Sequence, residues 1–158
     1  MEDASIPQWY AIFVRPHCEE STVNHLKYLG EETFLPRHET NQKAPLFPGY
    51  IFCRTVLHKA PKLYSVRGVI RILGNRTGPI ALTVEEIDLI KCIHKCGLRV
   101  QTHPLFEPQQ TVKLQSGPLR GISGSVMQSS DHERFIVSIP LLMRTVSVRV
   151  DLAWLQPA

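Results

Sequence analysis

The chain has 158 residues, 43% of them hydrophobic and 20% charged, and carries a net charge of +4. These proportions describe a folded, water-compatible protein, and no apolar run approaches the roughly 20 residues that a membrane span needs. The amino terminus, Met1-Glu2-Asp3-Ala4-Ser5, lacks the basic-then-apolar layout of a secretory signal, so a cytoplasmic protein without membrane contact is expected. Of the cysteines, Cys92 and Cys96 are four apart and share one helix face, but the intervening His94 points elsewhere. No second ligand pair completes a zinc site, so neither metal nor cofactor is expected.

Trp9-Tyr10-Ala11-Ile12-Phe13-Val14 is a β-prone run, with Trp9, Ala11 and Phe13 on one face. Glu19 to Leu29 follows with Val23 and Leu26 at helical spacing, and Gly30 ends it. Thr33-Phe34-Leu35 predicts a short strand and Arg37 to Lys43 a loop. Pro48-Gly49 suits the centre of a type II turn, because proline presets its φ and glycine supplies the positive φ that follows. The strand leaving that turn puts Tyr50, Phe52 and Arg54 on one face, Ile51 and Cys53 on the other. Val69 to Leu73 predicts another strand. Thr83 and Glu86 have capping-box spacing before an amphipathic helix carrying Ile87, Ile90 and Ile93, which closes near Gly97. Beyond His103-Pro104 only strand signals remain: Val112–Leu114, Ser125–Met127, Phe135–Val137, Val146–Val150 and Ala153–Leu155. Turn clusters such as Gln115-Ser116-Gly117-Pro118 and Ser129-Ser130-Asp131 separate them, as in a small barrel.

Charge is unevenly spread. Between Arg37 and Arg76 stand Lys43, Arg54, Lys59, Lys62, Arg67 and Arg71, and the one acid in that stretch is Glu39. Such an excess suits a surface facing nucleic-acid phosphate, or equally a solvated face with no partner. Phe47, Tyr50 and Phe52 beside the Pro-Gly turn suit core packing or an exposed docking patch. Gly117, Gly121 and Gly124 suit barrel corners. The seven histidines are scattered, and no nucleophile, base and orienting group can be assembled, so no catalytic residue is expected.

Two stretches carry a family resemblance. Leu46-Phe47-Pro48-Gly49-Tyr50-Ile51-Phe52, with Trp9-Tyr10 before it and Val66-Arg67-Gly68-Val69 after it, resembles an NGN domain. Val112 to Val126, through Gly117-Pro118-Leu119-Arg120-Gly121, resembles the KOW motif. In that order they resemble the NusG family of transcription factors. The resemblance implies an α+β chain: an NGN-type α/β sandwich with an antiparallel sheet over residues 8–97, a linker over 98–108 and an SH3-like five-stranded barrel over 109–158.

It also implies a role. NusG-like factors lay an apolar concavity on the clamp helices of the polymerase's largest subunit, and Phe13, Phe47, Tyr50 and Phe52 match its positions. Arg15, His17 and Arg67 correspond to positions that reach upstream or non-template DNA. Leu141, Leu142 and Arg144 correspond to a hairpin that touches a small-subunit ribosomal protein or Rho, although Met143 stands where general members often have glycine. The loop from Arg37 to Pro45 is shorter than in many general members, which points toward specialised paralogs. A ribosome-associated RNA-binding protein is the alternative, because KOW barrels also occur there.

Overall fold

The computed structural model describes residues 6–38, 44–104, 111–128 and 133–157. Its elements begin with β1 (Gln8–Val14), α1 (Glu19–Tyr28), β2 (Glu32–Phe34), β3 (Tyr50–Thr55), α2 (Ala60–Tyr64) and β4 (Val69–Ile72). A short hairpin follows, β5 (Gly74–Asn75) with β6 (Gly78–Pro79), and then α3 (Val84–Lys95). The remainder is β7 (Val100–Pro104), β8 (Thr111–Leu114), β9 (Ser123–Gln128), β10 (Glu133–Ile139), β11 (Arg144–Arg149) and β12 (Leu155–Pro157). This is the expected α+β succession. The predicted turn at Ser129–Asp131, most of the Arg37–Lys43 loop and residues 105–108 of the predicted linker lie outside the described residues. No described helix is long and apolar enough to cross a membrane.

The chain forms two compact units, which meet along the sequence between Ile87 and Asp88, inside α3. In the first unit the strands form an antiparallel sheet in the order β2-β3-β1-β4. β1 is central, with Ile12 opposite Ile51 on one side and Ile72 on the other. Strand alternation sends Tyr10, Ile12, Val14, Ile51 and Cys53 to one face. There they form a single buried cluster with Val23 and Leu26 of α1 and Leu63 and Val66 around α2. Each fully buried aliphatic side chain in such a cluster contributes roughly 1.5–3 kcal/mol. The helix α2 is too short to show a period and starts at Ala60-Pro61, where proline fits a first turn.

Burial first, and then the Glu31 and Glu32 carboxylates, push the Cys53 thiol up from 9.0 to about 12. It stays a protonated core residue at neutral pH. The capping box ahead of α3 is formed: Glu86 N–H donates to Thr83 Oγ1 at 3.1 Å, and Thr83 N–H donates to Glu86 Oε1 at 3.2 Å.

In the second unit the strands pair antiparallel in the order β12-β8-β9-β10-β11-β7. Five of them are the expected barrel strands. Two details differ. Leu152–Trp154 is a 3-10 turn rather than part of a strand, and the last strand begins at Leu155. The segment expected as a linker supplies a sixth strand, because Val100–Pro104 pairs with Arg144–Val148. Val112, Leu114, Phe135, Val137, Ile139, Val146 and Val148 are buried at alternating positions of β8, β10 and β11. Gly124 serves close approach rather than a corner, since a Cβ there would collide with the Ile136 carbonyl and the Phe135 ring.

Candidate interaction surfaces

The sheet of the first unit has a second face, opposite the helix-packed cluster. Register places Ala11 opposite Phe52, Phe13 opposite Tyr50, and Phe34 opposite Phe52. The rings interlock: Phe13 and Tyr50 have centroids 5.4 Å apart, Phe34 and Phe52 6.3 Å, and Phe47 and Phe52 meet edge-on at 6.4 Å. Tilted and edge-on pairs of this kind add about 0.5–1.5 kcal/mol beyond area burial. Of the four residues expected as an exposed patch, Phe52 is 0% exposed, Phe47 1% and Tyr50 8%. Phe13 alone is more than marginally accessible. The reason is local. The turn folds Phe47 back against Phe52, so one aromatic covers the other.

That turn is well determined. Tyr50 N–H donates to the Phe47 carbonyl at 3.0 Å, and Val14 N–H donates to the Gly49 carbonyl at 2.8 Å. Gly49 has φ +88°, and a Cβ on it would lie 3.1 Å from Phe13 Cε2. The left-handed backbone favours glycine, and a Cβ there would also push the Phe13 ring aside by a few tenths of an ångström. Glu19, which sequence reasoning passed over as one of two first-turn acids of α1, is only 8% exposed. Its Oε1 accepts the buried Gly49 N–H at 3.0 Å. The positive end of α1 favours a carboxylate there. Glu19→Ala is expected to leave that amide unpaired at a cost of about 1–3 kcal/mol and to speed Gly49 amide exchange. Glu19→Gln keeps an acceptor oxygen and should preserve most of the protection; equal exchange rates in both variants and the parent would remove Glu19 from this role.

Arg15, His17 and Arg67 are all exposed. Arg15 N–H donates to the Gly68 carbonyl at 2.8 Å, which fixes the end of β1 to the segment before β4. Arg15 and Arg67 thereby line one surface cavity of about 260 Å³ with Cys18, Ser21 and His25. His17 is not among its lining residues. It holds φ +63° after Pro16, in a turn closed by Cys18 N–H donating to the Arg15 carbonyl at 3.0 Å. Proline followed by a positive φ repeats the arrangement of Pro48-Gly49.

Charge counting also missed a juxtaposition. Arg71 of β4 lies opposite Phe13, with Cζ 5.9 Å from the ring centroid, a cation–π distance. The basic excess is smaller than the sequence count, since Arg37 pairs with Glu20 at 3.6 Å, Arg54 with Glu32 at 3.4 Å and Lys59 with Glu31 at 3.6 Å. Lys62, Arg67, Arg71 and Arg76 remain exposed.

At the tip joining β10 to β11 the expected set separates. Leu142 is 0% exposed and belongs to the core. A 3-10 turn over Pro140–Leu142 directs it inward. Leu141 and Arg144 are half-buried, and Arg144 Nη1 donates to the Met143 carbonyl at 3.1 Å. Met143 is 60% exposed and holds φ +53°, a left-handed conformation that glycine adopts without strain.

Residues 7–91 match the family model described as "NusG: Transcription termination factor nusG". A relative from Yersinia pestis named "Transcription termination/antitermination protein NusG" is 26% identical, covering 96% of each chain. One of the same name from Buchnera aphidicola subsp. Baizongia pistaciae is 29% identical over 112 residues, 66% of this chain and 61% of that protein, so the likeness spans about three fifths of that relative. Among solved structures, one described as "Domain interaction in Thermotoga maritima NusG" shares the fold with a TM-score of 0.69 at 18% identity, covering 98% of this chain and 99% of that one.

Proposed function

The chain belongs to the NusG family, and from that premise we propose that it is a transcription elongation and antitermination factor acting on RNA polymerase in the cytoplasm. The observation that carries the proposal is the family match over residues 7–91. Added to it is a relative named for termination and antitermination that aligns along 96% of both chains. The chemistry assigned is binding rather than catalysis. We assign the clamp helices of the polymerase's largest subunit to the second sheet face, with Phe13 and the edge of Tyr50 as contact. Phe47 and Phe52 are the buried layer that supports them. The Arg71 guanidinium over Phe13 extends the same surface with positive charge. Upstream or non-template DNA is assigned to Arg15 and Arg67, which line one surface cavity, and to exposed His17 in the turn that follows Arg15. The barrel tip, with Leu141, Met143 and Arg144, is assigned to a protein partner such as a small-subunit ribosomal protein or Rho.

The direct test is in vitro elongation with purified polymerase. Adding the chain should change pause lifetimes or termination efficiency; unchanged transcripts at saturating concentration would overturn the reading. A second expectation concerns charge. Replacing Arg15 and Arg67 by alanine should weaken binding to an elongation complex with exposed non-template DNA. If each contacts one phosphate of that single strand, the slope of log affinity against log salt should fall by about 1.4. The loss should therefore narrow as salt rises. Equal affinity of variant and parent at low salt would exclude this surface.

A further inference from the structure

Strand β7 differs from β8 and β11 of its sheet. It lies outside β11, at one edge, with Val100–Pro104 opposite Val148–Arg144 in unbroken antiparallel register. β8 buries Val112 and Leu114, and β11 buries Thr145, Val146, Ser147 and Val148, whereas none of the five β7 side chains is buried. Its attachment rests chiefly on main chain, with His103 Nε2 and Ser147 Oγ hydrogen-bonded at 2.8 Å.

The rungs can be assigned. Arg149 N–H donates to the Arg99 carbonyl at 3.0 Å, which makes Arg99 and Arg149 a hydrogen-bonded pair. By antiparallel alternation Gln101/Ser147 and His103/Thr145 are also hydrogen-bonded pairs, and Thr102/Val146 is not. A strand held by such rungs and without buried apolar side chains is among the first parts of a fold to open. Opening it bares the outward N–H and C=O groups of Thr145, Ser147 and Arg149, an edge ready for strand pairing. The β11 end of that edge runs directly into the tip, where Met143 is exposed.

We propose that β7 is a displaceable cover on the β11 edge, and that an extended segment of the partner protein takes its place there, antiparallel to β11, by strand addition. β7 shows what the occupant requires. It is extended main chain, with a hydrogen-bonding side chain that reaches Ser147 and β-branched residues opposite Val146 and Val148. The exposed tip beside the edge adds an apolar anchor. The cover and the partner are then mutually exclusive, so partner binding competes with the chain's own strand. This rests on the reading of the second unit as protein-binding.

The test uses the full chain and a labelled synthetic peptide of Leu98–Pro104 as probe. Gln101→Pro removes an N–H that points into the ladder, whereas Thr102→Pro removes one that points away and serves as control. The peptide should bind Gln101→Pro at least tenfold more tightly than the parent or Thr102→Pro, and protect the Thr145 and Ser147 amides from exchange. In the parent, the Gln101 and His103 amides should exchange at least tenfold faster than those of Phe135 and Val137. A folded Gln101→Pro chain that ignores the peptide overturns the proposal. So do equal exchange rates in β7 and β10, a measurement that stands even if the proline variant does not fold. Concentration-dependent dimers that exchange β7 would assign the edge to a second copy instead, and overturn the partner assignment. None of these measurements involves polymerase, so their failure leaves the transcription reading intact.

Discussion

Phe52→Ala is expected to destabilise the first unit by about 3–5 kcal/mol, the range for truncating a buried phenylalanine. Its ring has no exposed surface and sits between Phe34 and Phe47, so the cavity left behind has aromatic walls on two sides. For a unit of this size the melting midpoint should fall by roughly 12 °C or more. Phe13→Ala should behave differently. Phe13 is only half-buried and its ring already faces a guanidinium, so its removal should leave the midpoint within a few degrees of the parent. If Phe13 is an anchor in the polymerase interface, its truncation costs about 2 kcal/mol of binding, or about 30-fold in affinity. Calorimetric melts paired with titration against purified clamp helices separate the two roles. A Phe52→Ala chain that melts with the parent yet loses polymerase would return Phe52 to the surface. A Phe13→Ala chain with full affinity would move the interface elsewhere.

The elements that sequence made legible share a physical property: each has a signal within one or two turns of chain. The type II turn at Pro48-Gly49 and the Thr83/Glu86 box are short-range chemistry, and both form as the residue types require. Face assignment along β1 and β3 follows from a period of two. What period cannot give is the outer boundary of burial. Period places Tyr50 and Phe52 on the right face, but whether that face is open depends on Phe47, which the turn folds back, and on Phe34, which arrives from β2. β7 was missed for the complementary reason. Val100-Gln101-Thr102-His103-Pro104 has one strongly apolar residue and no alternation, because its pairing is main-chain pairing and leaves no trace in hydropathy. Glu19 shows the same limit in a polar residue. A first-turn acid reads as solvated until a loop 30 residues away presents an amide to it.

The tip of the barrel gives the second large effect. Leu142→Ala should cost about 2–5 kcal/mol, since the side chain is fully buried beneath the 3-10 turn, and should lower the midpoint of the second unit by about 10 °C or more. Met143→Gly, one residue on, should do the reverse. Met143 holds φ +53°, and a left-handed conformation costs a residue with a Cβ roughly 1–2 kcal/mol. Glycine relieves that strain, and its greater freedom in the unfolded chain returns about 0.5–1 kcal/mol of the gain. The variant should therefore melt at or slightly above the parent. Its exposed thioether is nevertheless gone, so any partner that uses the tip as an apolar anchor should bind it more weakly despite the gain in stability. This opposition is the informative result, because a residue kept for stability would not be strained and exposed at once. If Met143→Gly melts lower than the parent, the strain argument fails. If it melts higher and binds a barrel partner with undiminished affinity, the anchor lies in Leu141 and Arg144 alone.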